Sequence, residues 1–125
     1  MKLFRPIIFT LVLASCEASY GDKYTTGNLE IYYASNIRIE FIEKTAAYFR
    51  EHHLILDHKH SIQISRDQEG FILRMILNKK YSELPAGQQI NLKLLEEDMK
   101  HVIFDDLNFR IEVTDENFRP IESEK

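Results

Sequence analysis

The stretch SIQISRDQEGFILRMILN, residues 61–78, decides the fold because it reads as two strands joined by a polar turn. Ile62 and Ile64 alternate with polar residues in its first half, and every second residue from Phe71 to Leu77 is apolar in its second half. A period of two places successive side chains on opposite faces of a strand. The segment 66–70 is polar and ends in glycine, which is typical of a turn. We therefore predict a hairpin with an apolar inner face.

Upstream of this hairpin, the sequence predicts a strand followed by a helix. Residues 29–33 (LEIYY) alternate between apolar and polar positions on their two faces, which indicates a half-buried strand. Ile42, Ala46 and Phe49 recur at helical spacing and form one apolar stripe. The helix is predicted over about residues 38–52.

Downstream of the hairpin, the sequence predicts a second helix followed by a strand. Residues from about 88 to 104 carry apolar side chains at helical spacing and predict a second helix. Residues 107–113 (LNFRIEV) alternate over all seven positions and give the clearest strand pattern of the chain. Residues 119–121 are compatible with a short edge strand, since Pro120 lacks the N–H that a central strand needs.

The order strand, helix, strand, strand, helix, strand predicts an α+β fold. With right-handed crossovers it gives a ferredoxin-like split βαβ sandwich, βαββαβ, with a four-stranded antiparallel sheet in the order 4-1-3-2 and two helices on one face. The predicted inner set is Leu29, Ile31, Tyr33, Ile42, Phe49, Ile62, Ile64, Leu73, Met75, Leu95, Met99, Phe109 and Ile111. The predicted outer sheet face is Glu30, Tyr32, Gln63, Ile72, Arg74, Ile76, Arg110 and Glu112.

The N-terminal segment has the composition of an export signal. Lys2 and Arg5 precede an apolar run over residues 7–13, which is too short to cross a bilayer. The tetrad Leu13-Ala14-Ser15-Cys16 that follows resembles the lipobox of bacterial lipoproteins, with a large aliphatic residue, two small residues and a cysteine. In that family the thiol receives a diacylglycerol and the chain is cut just before the cysteine.

The resemblance implies a signal peptide over residues 1–15 and lipidation of Cys16. Residues 16–28 are then the lipidated N-terminus and a flexible tether, residues 29–122 a single α+β domain, and residues 123–125 a frayed tail. The location implied is the bacterial cell envelope, at the inner or the outer membrane, with the membrane bound through Cys16. The alternative is ordinary cleavage after Ala18, which releases a soluble secreted protein.

Charge and cysteine content narrow the function classes. The formal net charge is −4, and removal of Lys2 and Arg5 with the signal peptide takes it to −6. A polyanion is repelled by that balance, so nucleic acid is not expected as a partner. Cys16 is the one cysteine, so no disulfide within the chain is possible.

The chain from 29 to 118 also resembles a group of uncharacterised bacterial envelope domains. The resemblance lies in the strand end Tyr32-Tyr33, the helix start Asn36-Ile37 and the turn 115–118 (DENF). It supports the predicted fold and the exported setting, and it implies no activity.

The outer sheet face offers a candidate partner surface. In the predicted topology Tyr32 lies beside Ile72, Arg74 and Ile76 on two central strands. An aromatic and an arginine among aliphatic side chains are typical of protein contact patches. The alternative is that a second copy, or the tail after Phe118, covers this patch.

Four of the five histidines lie close together in the sequence. His52, His53, His58 and His60 are potential ligands of zinc, copper or nickel, and Asp57 could add a carboxylate. The structural alternative places His52 and His53 at a helix end, where positive charge complements the helix dipole, and the other two in a solvated loop. Their spacing matches no known metal motif.

The remaining polar residues give no catalytic motif. The acidic groups 96–98 and 105–106 lack calcium-loop spacing, and no phosphate loop, HExxH, GxSxG or CxxC motif occurs. We therefore predict a lipid-anchored, non-enzymatic protein-interaction module without a cofactor, whose partner is an unknown envelope protein. The alternatives are a periplasmic metal-binding protein that uses the histidine cluster, and a small inhibitor or immunity lipoprotein.

Overall fold

A computed structural model describes residues 20–121 of the 125-residue chain. The predicted signal peptide (1–15), the predicted lipidation site Cys16 and the predicted frayed tail (123–125) lie outside the described residues. Within 20–121, no helix has the length and apolar content needed to cross a membrane.

Five strands and two main helices alternate along the described chain. The order is β1 (Asp22–Thr26), β2 (Leu29–Tyr33), α1 (Ile39–Glu51), β3 (His60–Asp67), β4 (Gly70–Ile76), a single 3-10 turn (Tyr81–Glu83), α2 (Ala86–Val102) and β5 (Phe109–Thr114). The fold is therefore a mixed α+β fold with one five-stranded sheet. The strand predicted at 29–33 has the predicted bounds, and α1 begins and ends one residue inside its prediction.

The strands lie in the sheet in chain order, β1-β2-β3-β4-β5. β1 and β2 form an antiparallel hairpin, and so do β3 and β4. Each helix links two parallel neighbours, α1 joining β2 to β3 and α2 joining β4 to β5. The predicted hairpin over residues 61–78 is confirmed, with Ile64 opposite Leu73.

One face of the sheet and both helices enclose the hydrophobic core. Phe104, which follows α2, stacks on Phe109 of β5 with ring centroids 4.6 Å apart and lies 4.8 Å from Phe71 of β4 and 5.3 Å from Phe41 of α1. All thirteen residues of the predicted inner set belong to this core or pack against it. Tyr48 of α1 donates a hydrogen bond to the carboxylate of Asp98 on α2, which links the two helices.

The ferredoxin-like arrangement is wrong in strand order and orientation. That topology places residues 29–33 between the hairpin strand 71–78 and the last strand. In the structure β1 pairs with one side of β2, so β2 has a single side left, and β3 fills it. The sheet consequently has five strands of mixed direction in place of four antiparallel ones.

The prediction that both crossovers are right-handed is also wrong. β2 and β4 run in opposite directions, while both crossovers step the same way across the sheet. Since both helices pack on one face, the two crossovers must have opposite hands. A left-handed crossover is uncommon, because strand twist favours the right-handed form.

The predicted flexible tether contains a strand. Asp22–Thr26 pairs with β2 along its whole length, so the structured part of the chain begins before Leu29. Gly27 has φ +60° at the first central position of the two-residue turn between β1 and β2. Glycine at this position is typical of the tight turns that match the twist of a hairpin.

Candidate interaction site

The arginine of the predicted partner patch is held by its own sheet. Arg74 Nε lies 3.1 Å from Glu112 Oε1, and Arg74 Nη1 donates to Gln63 Oε1 at 3.0 Å and to Ser65 Oγ at 2.8 Å. Arg74 and Glu112 are both largely buried side chains. These hydrogen bonds use Nε and Nη1, so Nη2 is the part of the Arg74 guanidinium left for a partner.

A second arginine extends this polar network to the turn between β3 and β4. Arg110 Nη2 contacts Glu112 Oε2 at 3.2 Å and Asp67 Oδ2 at 3.3 Å. Asp67 also accepts hydrogen bonds from the backbone N–H groups of Glu69 and Gly70. The Glu69 amide, followed by Arg110, lowers the pKa of the Asp67 carboxyl below its usual value.

An aromatic cluster covers the other end of the outer face. Tyr32 contacts Tyr20 and Phe118 edge to face, with ring centroids 5.6 Å and 6.0 Å away, and Tyr20 and Phe118 are 5.3 Å apart. Tyr20 donates to Asn117 Oδ1 at 2.9 Å. The two ends of the described chain therefore meet on this face, and Phe118 is buried there.

The four predicted patch residues do not form one exposed surface. Gln63 lies between Tyr32 and Arg74, because β3 separates β2 from β4. Ile72 is only 2% exposed. Ile76 lines a cleft at the end of the sheet. Phe118 packs on Tyr32, whereas the alternative that the tail after Phe118 covers the patch stays a prediction.

The first two histidines of the predicted metal cluster follow the end of α1. His52 stacks on Tyr48 with ring centroids 4.0 Å apart, and its Nδ1 is 3.0 Å from the Tyr48 carbonyl oxygen. His53 adopts φ +57° just after the helix. Both positions agree with the interpretation of helix-end histidines.

The other two histidines lie at the start of β3. His60 Nε2 accepts the Leu56 N–H at 2.9 Å, and the His58 ring lies 6.0 Å from the His60 ring. Burial, followed by the nearby His58, lowers the pKa of His60. Among residues 20–121 there is no group of three or more His, Cys, Asp or Glu side chains placed to hold a metal ion, so the four-histidine site is not assembled.

The sheet has two edges, and the β5 edge is partly covered. The outward N–H of Ile111 donates to Glu96 Oε2 of α2 at 2.8 Å. At the end of β5, a bridge between Thr114 and Pro120 lays the C-terminal segment alongside the strand. An added strand could not reach these backbone groups without displacing α2 and the C-terminal segment around Pro120.

No other strand among residues 20–121 pairs with the outer side of β1. The Asn28 carbonyl accepts the His60 N–H and the Ala34 N–H donates to Ile64, so even-numbered residues of this strand face β3 and odd-numbered ones face β1. The antiparallel register then turns the N–H and C=O groups of Lys23 and Thr25 away from β2. These groups have no partner among residues 20–121, and both side chains are exposed.

This open edge is the feature that the sequence-based prediction missed. Residues 17–28 are polar, small and turn-rich, which suggested a tether. The signal for a hairpin was nevertheless present, because Tyr24, Thr25 and Thr26 favour strands and Gly27-Asn28 is a typical two-residue turn.

Helix α2 also presents apolar side chains to solvent. Ile90 is 59% exposed and Leu94, one turn later, is 63% exposed. Together with Tyr81 they line a shallow groove of about 280 Å³. Its polar lining consists of Gln89 and Lys93, and these two side chains alone do not define an occupant.

Comparisons with protein-family models, with curated proteins and with solved structures found no match.

Proposed function

We propose that this chain is a lipid-anchored, non-enzymatic bacterial envelope protein that binds a partner protein by strand addition to β1. The observation that carries the proposal is the difference between the two sheet edges. Glu96 and the C-terminal segment occupy the β5 edge, whereas the outward groups of Lys23 and Thr25 have no partner in residues 20–121. Exposed edges are normally blocked in stable proteins, so an open edge favours a binding role.

Strand addition suits the chemistry of this edge. An extended segment of the partner would form main-chain hydrogen bonds with Lys23 and Thr25, and its side chains would alternate between the two faces of the sheet. On the outer face it would meet Lys23, whose Nζ lies 5.9 Å from the centre of the Tyr32 ring. The polar network around Arg74 would remain intact.

The proposed anchor would hold this edge close to a bilayer. Three residues lie between Cys16 and Tyr20, and the four steps of an extended chain from one to the other reach at most about 14 Å. Tyr20 is fixed to the outer face through Tyr32, Phe118 and Asn117. A lipidated Cys16 would therefore place β1 within reach of an envelope protein at the same membrane. If the partner is an envelope enzyme that strand addition inhibits, the chain would be an inhibitor or immunity protein.

The test places a photo-crosslinking phenylalanine analogue at position 23 of the full chain in bacterial cells. We expect one dominant crosslinked envelope protein. Thr25→Pro removes an outward N–H that the partner strand would bind, so it should reduce that crosslink at least tenfold. The fold should survive, because proline is tolerated on an edge strand where its N–H would face solvent. Thr25→Val is the matched control, because it keeps the N–H, and it should crosslink like the unmodified edge.

Two further results would contradict the proposal. An undiminished crosslink in Thr25→Pro would exclude pairing through the β1 edge. A crosslink between two copies of this chain would show that the partner is a second copy and not another envelope protein. Circular dichroism would show that both variants keep the fold. Cys16→Ser in the same cells should move the protein out of the membrane fraction, and its retention there would refute the lipid anchor.

A further inference from the structure

A large apolar cleft opens at the end of the sheet where β3 begins and β4 ends. Its volume is about 600 Å³, within the range of roughly 300–1,000 Å³ found for small-molecule sites. The walls come from α1, the loop after it, the two strands and α2. Its apolar lining includes Phe49 of α1, Ile62 of β3, Met75 of β4 and Leu95 of α2.

The polar side chains that line this cleft include basic groups but no acid. They are His58, Lys59, His60 and Ser61, and none of the lining residues is a carboxylate. The chain as a whole has 20 acidic and 16 basic residues. Because Lys59 is its one permanently charged lining group and no lining residue is an acid, the cleft favours an anion over a cation.

Two carboxylates lie near the rim without lining the cleft. Glu30 Oε2 is 3.9 Å from Lys59 Nζ and 3.7 Å from Lys23 Nζ, so two lysines share one acid. Asp57 Oδ1 is 3.2 Å from His58 Nδ1, and Asp57 is fully exposed to solvent. Lys59 is itself largely exposed, which leaves its ammonium group able to turn towards a ligand.

His60 adds a hydrogen-bond donor of defined orientation. Because Nε2 accepts the Leu56 N–H at 2.9 Å, the ring proton of a neutral His60 must be on Nδ1. Burial, followed by His58, lowers the pKa of His60, which favours the neutral ring. A neutral ring in this tautomer can donate to an oxygen of a ligand.

We propose that the cleft binds a free long-chain carboxylate. The hydrocarbon chain lies among Phe49, Ile62 and Leu95, and the carboxylate lies at the rim with Lys59 and His60. The cleft and the β1 edge have Glu30 as a common neighbour but share no lining residue, so either proposal can fail without the other.

The test uses the full chain in membranes and a long-chain carboxylate that carries a photoactivatable diazirine and an alkyne tag. The matched probe is the primary alcohol with the same chain. Mass spectrometry of labelled peptides should place the carboxylate label on residues 49–62, 75–77 and 95. Labelling centred on Ile90 and Leu94 of α2 would overturn the proposal.

Charge reversal then tests the rim. Lys59→Glu, at an exposed side chain, should lower labelling by the carboxylate at least fivefold and leave labelling by the alcohol unchanged. Lys44→Glu, on the exposed side of α1 away from the cleft, is the control and should label normally. Equal labelling of the cleft by carboxylate and alcohol in the unmodified chain would show that no anion is selected and would contradict the inference.

Discussion

Phe104→Ala should lower the free energy of unfolding by about 3–5 kcal/mol, the range found when a buried phenylalanine is truncated. Phe104 is completely buried and contacts three aromatic rings, one from α1, one from β4 and one from β5. Truncation would remove these contacts together and leave a cavity between both helices and the sheet. Since domains of this size are stable by only about 5–15 kcal/mol, a large part of the total would be lost.

Urea unfolding of the full chain, followed by circular dichroism, measures this loss. Leu94→Ala is the matched control, because Leu94 is an apolar side chain that is 63% exposed. It should change the free energy of unfolding by no more than about 0.5 kcal/mol. A loss below about 1 kcal/mol in Phe104→Ala would contradict the packing described here.

Gly70→Ala should destabilise the protein by about 2 kcal/mol or more, because backbone strain and a steric clash act together. Gly70 has φ +139°, a conformation that residues with a side chain rarely adopt. A Cβ at this position would lie 2.4 Å from the Asn108 carbonyl oxygen and 2.5 Å from Asn108 Cβ. The hairpin turn and the start of β5 would have to separate.

Gly87→Ala is the corresponding control within the same chain. Gly87 lies near the start of α2, and a Cβ added there would meet nothing within 4 Å beyond its own helix. Alanine should raise the free energy of unfolding there by about 0.4–1 kcal/mol, since it restricts the unfolded chain and favours a helix. Thermal unfolding of both variants would show opposite shifts, and a stable Gly70→Ala protein would contradict the close approach of Asn108.

The helices and strands could be predicted from local sequence, because each has its own spacing of apolar residues. The alternation of Leu29, Ile31 and Tyr33 fixed β2, and the apolar stripe of α1 fixed a helix to within one residue. Side-chain direction in a strand depends only on this period, so Arg74 and Glu112 were placed correctly on the outer face.

Strand order could not be obtained in the same way. It depends on which edge of β2 is free, and that depends on β1, whose short polar sequence resembles a tether. Without β1, the split βαβ arrangement was a consistent solution. The predicted strand order placed Tyr32 beside Arg74, whereas in the structure β3 lies between them.

The contacts that close the outer face were also beyond the sequence pattern. Tyr20 and Phe118 are far apart in the sequence and meet only because the sheet brings both ends of the described chain to Tyr32. The difference between the two sheet edges likewise appears only in the structure, where Glu96 binds the outward N–H of Ile111 on β5.

Amide hydrogen exchange of the full chain in detergent micelles, resolved by residue with NMR, tests the difference between the two edges most directly. We predict that the Lys23 and Thr25 amides exchange at least about tenfold faster than those of Tyr24 and Ile111, which donate to β2 and to Glu96. Equal protection of Lys23, Thr25 and Ile111 would mean that the β1 edge is already occupied, and would contradict the proposed binding site.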